Sequence, residues 1–98
     1  MRSILLSGAA KLDVAEVWDF TLATWGLPQA QEYTRKISAA LDRLAGNPLL
    51  GSDRSHVRPR YRKLRVGSHA ILYRHNDEVL DVVRIVHVRV DVDAALPD

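Results

Sequence analysis

Residues 61–90, YRKLRVGSHAILYRHNDEVLDVVRIVHVRV, read as three consecutive β-strands. Apolar and polar residues alternate through YRKLRV (61–66) and HAILYRH (69–75), the period of a pleated strand. Gly67-Ser68 between them is a tight hairpin signal. Asn76-Asp77-Glu78 supplies the next turn. The last segment, 79–90, is long and rich in β-branched residues. Strict alternation along it places Val79, Asp81, Val83, Ile85 and His87 on one face. Leu80, Val82, Arg84, Val86, Val88 and Val90 then fall on the other. Both faces are largely apolar, which predicts a central strand covered on both sides.

Upstream of this meander, MRSILLS (1–7) has the length and content of a short strand centred on Ile4–Leu6. GAAKLDVAEVWDFTLATW (8–25) reads as a helix. At 100° per residue Val14, Ala15, Val17, Trp18, Leu22 and Trp25 share one side. Asp13, Glu16 and Asp19 fall opposite, and Leu12 and Phe20 lie on that acidic side, where a core does not explain them. Gly26 suits an αL cap and Pro28 a first helical position, so Gly26-Leu27-Pro28 ends one helix and starts another. The second helix spans roughly 28–45, with Ala30, Tyr33, Ile37, Ala40, Leu41 and Leu44 as its apolar stripe and Glu32–Lys36 as an outer i,i+4 pair. Gly46-Asn47-Pro48 ends it. So short a joint folds two helices back as an antiparallel hairpin.

The expected architecture is a single α+β domain over residues 1–98, of order β-α-α-β-β-β, with the helical hairpin packed on one face of a small, mostly antiparallel sheet. No second layer is visible for the other sheet face. That face is therefore expected to be an apolar partner surface, unless the irregular connection 49–57 covers part of it.

Composition narrows the chemistry. The chain has 98 residues and no cysteine, so disulfides, thiolate nucleophiles and Cys-based zinc sites are excluded. No apolar run reaches the length of a membrane span and no signal-peptide core is present, which points to a cytoplasmic protein. Net charge is +2, unevenly spread. Arg54, Arg58, Arg60, Arg62, Lys63 and Arg65 form an acid-free run, suited to phosphates, to acidic protein or simply to a solvated strand face. Asp77, Glu78, Asp81, Asp91, Asp93 and Asp98 crowd the C-terminal part. The four histidines make no metal-ligand motif, and no glycine-rich phosphate loop occurs, so neither metal nor cofactor is expected. Ser68 and His69 are sequence neighbours on a strand and point to opposite faces, which does not make a nucleophile–base pair. RNA cleavage is the more serious catalytic option. His69, His87 and Arg84, with the 58–65 arginines, supply a base, an acid and cations for phosphorane-like charge. The competing reading is that both imidazoles are satisfied locally and that Arg84 pairs with an acid near the sheet. Trp18, Trp25 and Tyr33 read as packing residues.

Three stretches carry a family resemblance: LDVAEVWDFTLATWGLPQAQEYTRKI (12–37), LDRLAGNPLLGSDRSHVRPRYRKLRVGSHAILYR (41–74) and VVRIVHVRVD (82–91). They contain, in order, D-[LV]-x-x-[IV]-W, W-G-x-x-Q-A-x-x-Y, L-A-x-x-P-x-x-G, V-G-x-H-x-[IL]-x-Y-R and R-I-[LV]-H. The chain resembles the ParE toxins of the ParE/RelE superfamily over nearly its whole length. The resemblance implies the toxin of a type II toxin–antitoxin pair, acting on DNA gyrase by binding rather than by side-chain catalysis. It also implies a hetero-oligomer with a ParD-like, ribbon-helix-helix antitoxin, with DNA met only through that antitoxin and no membrane involved. The alternatives are a RelE-like ribosome-dependent mRNA interferase, or a decayed relative that serves only operon autoregulation. The interferase branch commonly has an arginine near Ala70 and a tyrosine or second polar group by the end of the last strand. Here no tyrosine follows Tyr73. Antitoxin contacts are expected at Leu12, Phe20, Tyr61, Leu64, Ile71 and Tyr73, with Arg58, Arg60 and Arg65 meeting its acids. The acidic tail VDVDAALPD (90–98) is where toxicity would be modulated.

Overall fold

The computed structural model describes residues 1–56, 58–91 and 95. Residues 92–94 and 96–98 of the acidic tail, among them Asp93 and Asp98, lie outside the described residues, as does Val57. The elements are β1 (Ser3–Leu6), α1 (Gly8–Trp25), α2 (Leu27–Gly46), a 3-10 turn (Pro48–Leu50), β2 (Ser52–Asp53), β3 (Arg62–Val66), β4 (His69–His75) and β5 (Val79–His87). They form one five-stranded sheet of order β1-β5-β4-β3-β2. β1 lies parallel to β5, and the remaining pairings are antiparallel. The α+β class and the helical hairpin are as expected from the sequence. The two-residue β2 is additional. Its partners Lys63 and Arg62 draw part of the connection into the sheet edge.

The hairpin turn at Gly67-Ser68 forms with Gly67 at φ +57, a left-handed value glycine reaches without steric cost. Gly26 also has positive φ, at +91, but its ψ of 174 places it in a glycine-only region rather than the αL cap expected there. Pro28 sits in the first turn of α2, behind Leu27. Glu32 pairs with Arg35 at 2.9 Å and not with Lys36.

The main core lies between the helices and one sheet face. Ile37, Leu41 and Leu44 of α2 pack with Ala10 and Val17 of α1 and with Ile71, Tyr73, Leu80, Val82 and Ile85 of the sheet. The α2 stripe matches its sequence pattern. The α1 stripe does not. Its buried residues are Ala10, Asp13, Val17 and Thr21, whereas Leu22 and Trp25 are exposed, Trp25 by 71%. Apolar residues surround α1 on nearly all sides, so hydrophobicity alone does not fix its rotation. Polar bonds made by Asp13 do.

Those bonds arise at the sheet edge. β1 pairs β5 only as far as Val82. Beyond it the chain turns into α1 and satisfies the free edge of β5 with side chains. Ser7 donates its backbone N–H to the Val82 carbonyl and its hydroxyl to the Val83 carbonyl, at 2.9 and 2.6 Å. The same hydroxyl oxygen accepts from Ala10 N at 2.9 Å, capping α1. One turn later Asp13 accepts from Ile85 N at 2.9 Å.

β5 departs from strict alternation. The register jumps between Leu72↔Arg84 and Tyr73↔Val82, which leaves Val83 as an extra, bulged residue. Leu80, Val82 and Ile85 therefore all belong to the helix-side core, while Val83 and Val86 join Tyr61 and Leu72 on the opposite face. That opposite face is not the open apolar surface expected from the sequence. Tyr61, Leu72, Val83 and Val86 are each exposed by 8% or less, with Ala95 packed against them. The contact of Ala95 with this face is a long-range one that hydrophobic periodicity does not encode.

Three residues expected to meet an antitoxin are corrected by this packing. Ile71 and Tyr73 are fully buried beneath the helices, and Tyr61 is buried on the far face. Strand alternation around 61–75 leaves the choice of face open, and the helices occupy the face that holds Ile71 and Tyr73.

Candidate functional site

A groove of about 580 Å³ opens between the C-terminal half of α1, the start of α2 and the adjacent ends of β4 and β5. Phe20 and Trp25 of α1 flank it, and Tyr33, His69 and His87 line it together with Arg84. The three residues expected for nuclease chemistry thus share one site. The pairing His69↔His87 puts the two imidazoles directly opposite on neighbouring strands. Their ring centroids are 5.4 Å apart, edge to face.

Each candidate is already engaged. Arg84 donates from Nε and Nη2 to the Asp13 carboxylate at 2.8 and 3.0 Å, a two-pronged pair. Asp13 holds the guanidinium pKa above its ordinary value, so its charge is both permanent and neutralised. His69 Nδ1 lies 2.6 Å from Tyr33 Oη. That hydroxyl also accepts from Ser68 N at 3.0 Å, and the Tyr33 ring packs against Gly67, where a Cβ would collide with it. Tyr33 is thereby a latch between α2 and the β3–β4 turn as well as a packing residue. Burial, and then the neighbouring His87, push the His69 pKa down, against a smaller pull from Asp13. The Tyr33 hydroxyl has one proton and two acceptors, His69 Nδ1 at 2.6 Å and the Val66 carbonyl at 3.3 Å. Given to the shorter contact, it leaves a neutral His69 ring with its hydrogen on Nε2. His87 Nδ1 accepts from Arg89 N at 3.1 Å, which sets the same tautomer there.

Burial also depresses the pKa of His75, with Arg2 and Arg62 adding to the effect. For both histidines the unfolded chain takes up a proton before the folded one as pH falls. Their contribution to stability is therefore complete above the unfolded value of 6.5 and declines below it. The urea midpoint is expected to drop between about pH 7.5 and about pH 5.5, and a His69→Gln, His75→Gln chain is expected to show a smaller drop.

The remaining expected contacts divide by exposure. Leu12 and Phe20 are exposed by 67% and 68%, as their place outside the core stripe suggested. Leu64 is half-buried against the helix-side core. Arg60 and Arg65 are exposed, and Arg58 is half-buried. Arg60 adopts φ +70, a left-handed value uncommon outside glycine. Ala70, where the interferase branch commonly has a cation nearby, is buried and pairs with Val86 on the face away from His69. Its small size does not alter the groove. Asp13 and Ser7 went unrecognised in the sequence. Ser7 carries a usable signal, a serine immediately before a helical run. Asp13 carries none, because its partners are more than seventy residues away.

The ParE toxin family of type II toxin–antitoxin systems, parDE, matches residues 4–92. Toxin ParE1 of Mycobacterium tuberculosis is 47% identical over 93 residues, covering 94% of this chain and 95% of that protein. Toxin ParE1 of Caulobacter vibrioides is 31% identical over 96 residues, covering 98% and 99%. A solved chain described as the chromosomal ParDE TA system from P. aeruginosa superposes with TM-score 0.76 at 20% identity, covering 90% of this chain and 97% of that one. A YafQ mutant from E. coli superposes with TM-score 0.56 at 17% identity, covering 91% and 96%. The two structural likenesses speak to the fold. The sequence matches go further: this chain belongs to the ParE toxin family of type II toxin–antitoxin systems.

Proposed function

We propose that this toxin inhibits DNA gyrase by binding it, without cutting RNA, and is neutralised in the cytoplasm by a ParD-like antitoxin. The observation that carries the non-catalytic reading is the Arg84–Asp13 pair. Stabilising a phosphorane needs a cation turned toward substrate. Arg84, the one arginine or lysine lining the groove among the described residues, is instead bound through two nitrogens to a carboxylate that also holds the sheet edge. The curated relatives named ParE1 favour the same branch. Purified protein is expected to block gyrase supercoiling and to leave ribosome-bound mRNA intact. Codon-specific cleavage with unaffected gyrase would establish the interferase instead.

Antitoxin binding is assigned to the exposed side of α1, centred on Leu12 and Phe20, with Arg60 and Arg65 available to acidic residues. Large apolar side chains on a surface helix are the usual anchors of a protein interface. Phe20→Ala is expected to weaken antitoxin binding by roughly 1–3 kcal/mol, read by calorimetric titration with the product of the neighbouring antitoxin reading frame. An unchanged affinity would remove Phe20 from the interface.

A further inference from the structure

The groove offers a pair of hydrogen-bond donors on neighbouring strands. The Arg89 backbone N–H makes His87 Nδ1 an acceptor, and His69 Nδ1 is one too when the Tyr33 proton goes to this 2.6 Å contact rather than to the Val66 carbonyl at 3.3 Å. Each neutral ring then keeps its hydrogen on Nε2. Neither Nε2 has a hydrogen-bond partner among the described residues, and both rings line the groove. Two N–H donors thus stand on one sheet face, on rings 5.4 Å apart. Such a pair suits an acceptor with two oxygens.

We propose that His69 and His87 form a carboxylate-binding site, which takes an acidic side chain, flanked by apolar ones, from a protein partner. The surroundings choose a peptide over a nucleic acid. A phosphodiester chain needs a row of cations, and among the described residues Arg84 is the single full cation lining the groove, already neutralised by Asp13. The basic residues Arg62, Lys63 and Arg65 lie on β3, on the far side of β4 from β5. Phe20, Trp25 and Val90 instead offer exposed apolar surface beside the histidines. Glu16 is the other carboxylate on the wall among the described residues, and it is exposed, so water screens it. The inference concerns how the groove reads a partner segment and stands whether or not gyrase is the target.

Binding is coupled to protons. The charged and titratable groups facing the pair are Asp13 and Glu16 from α1, Tyr33 from α2 and Arg84 from β5. Asp13 and Arg84 cancel, and His87 disfavours a charge on His69. A bound carboxylate supplies the missing counter-charge, so one ring takes up a proton on binding and affinity falls as pH rises.

The test uses the full chain labelled with 15N and capped tripeptides Leu-Glu-Leu and Leu-Gln-Leu as probes, followed through the imidazole nitrogen resonances. The acidic peptide is expected to move both rings saturably. It should bind at least roughly tenfold tighter than the amide peptide and weaken by up to about tenfold per pH unit above neutrality. His87→Gln, which keeps an N–H donor at an exposed position, should retain much of the binding, and His87→Phe should lose it. Equal binding of the two peptides, no effect of His87→Phe, or preferential binding of inorganic phosphate over the acidic peptide would each overturn the proposal.

Discussion

Asp13→Ala is expected to lower the unfolding free energy by about 2–4 kcal/mol. The side chain is buried and serves three donors: Arg84 Nε, Arg84 Nη2 and the Ile85 backbone N–H. Removing it strands a guanidinium and a strand-edge N–H where no neighbouring strand can take over, because β1 stops pairing β5 at Val82. The Arg84 side chain is 32% exposed, so water recovers part of the charge term and the loss stays below that of a fully buried pair. Thermal unfolding should fall by roughly 10 °C or more for a domain of this size. Adding Arg84→Met is expected to return part of the stability, since no uncompensated charge then remains. If the double variant were as unstable as the sum of the two single ones, the ion pair would not be the source of the loss.

The second large effect is centred on Tyr73. Its hydroxyl donates to the Pro48 carbonyl at 2.6 Å and accepts from Gly51 N at 3.0 Å, entirely away from water. Burial raises its pKa, so it stays a neutral donor. Tyr73→Phe leaves a carbonyl and an N–H unsatisfied and should cost about 2–3 kcal/mol in urea unfolding. Gly51→Ala is expected to cost a similar amount by a different route, because its Cβ would overlap the Tyr73 hydroxyl and stand 2.7 Å from the Lys63 carbonyl. The two substitutions share the hydroxyl, so together they should cost less than their sum. Strict additivity would mean that the hydroxyl is not what Gly51 makes room for.

The two cases also show what a single sequence reveals. The α1 and α2 boundaries, the Gly67-Ser68 turn and the α2 stripe follow from local rules, and local rules are legible. Helical periodicity sees only its own helix, and by it Asp13 is a solvent-facing acid. Its real partners, Arg84 and Ile85, lie on β5. The Val83 bulge has the same character. Nothing in a run of valines marks which one is extra, yet that residue moves Ile85 into the helix-side core and brings His87 opposite His69. His69, Arg84 and His87 are visible in the sequence as residue types, whereas the groove that gathers them depends on long-range packing. Tyr33 was assigned to the core by its stripe, whereas the bond from its hydroxyl to His69 depends on a turn thirty-odd residues away.

The most direct measurement of the central claim is a titration of purified toxin into gyrase supercoiling reactions, with ribosome-bound mRNA assayed alongside. A binder inhibits in proportion to its occupancy. The expected result is inhibition that saturates near equal amounts of toxin and gyrase while the mRNA stays whole. Gyrase activity unaffected at any dose, with mRNA consumed by far less toxin than substrate, would contradict it.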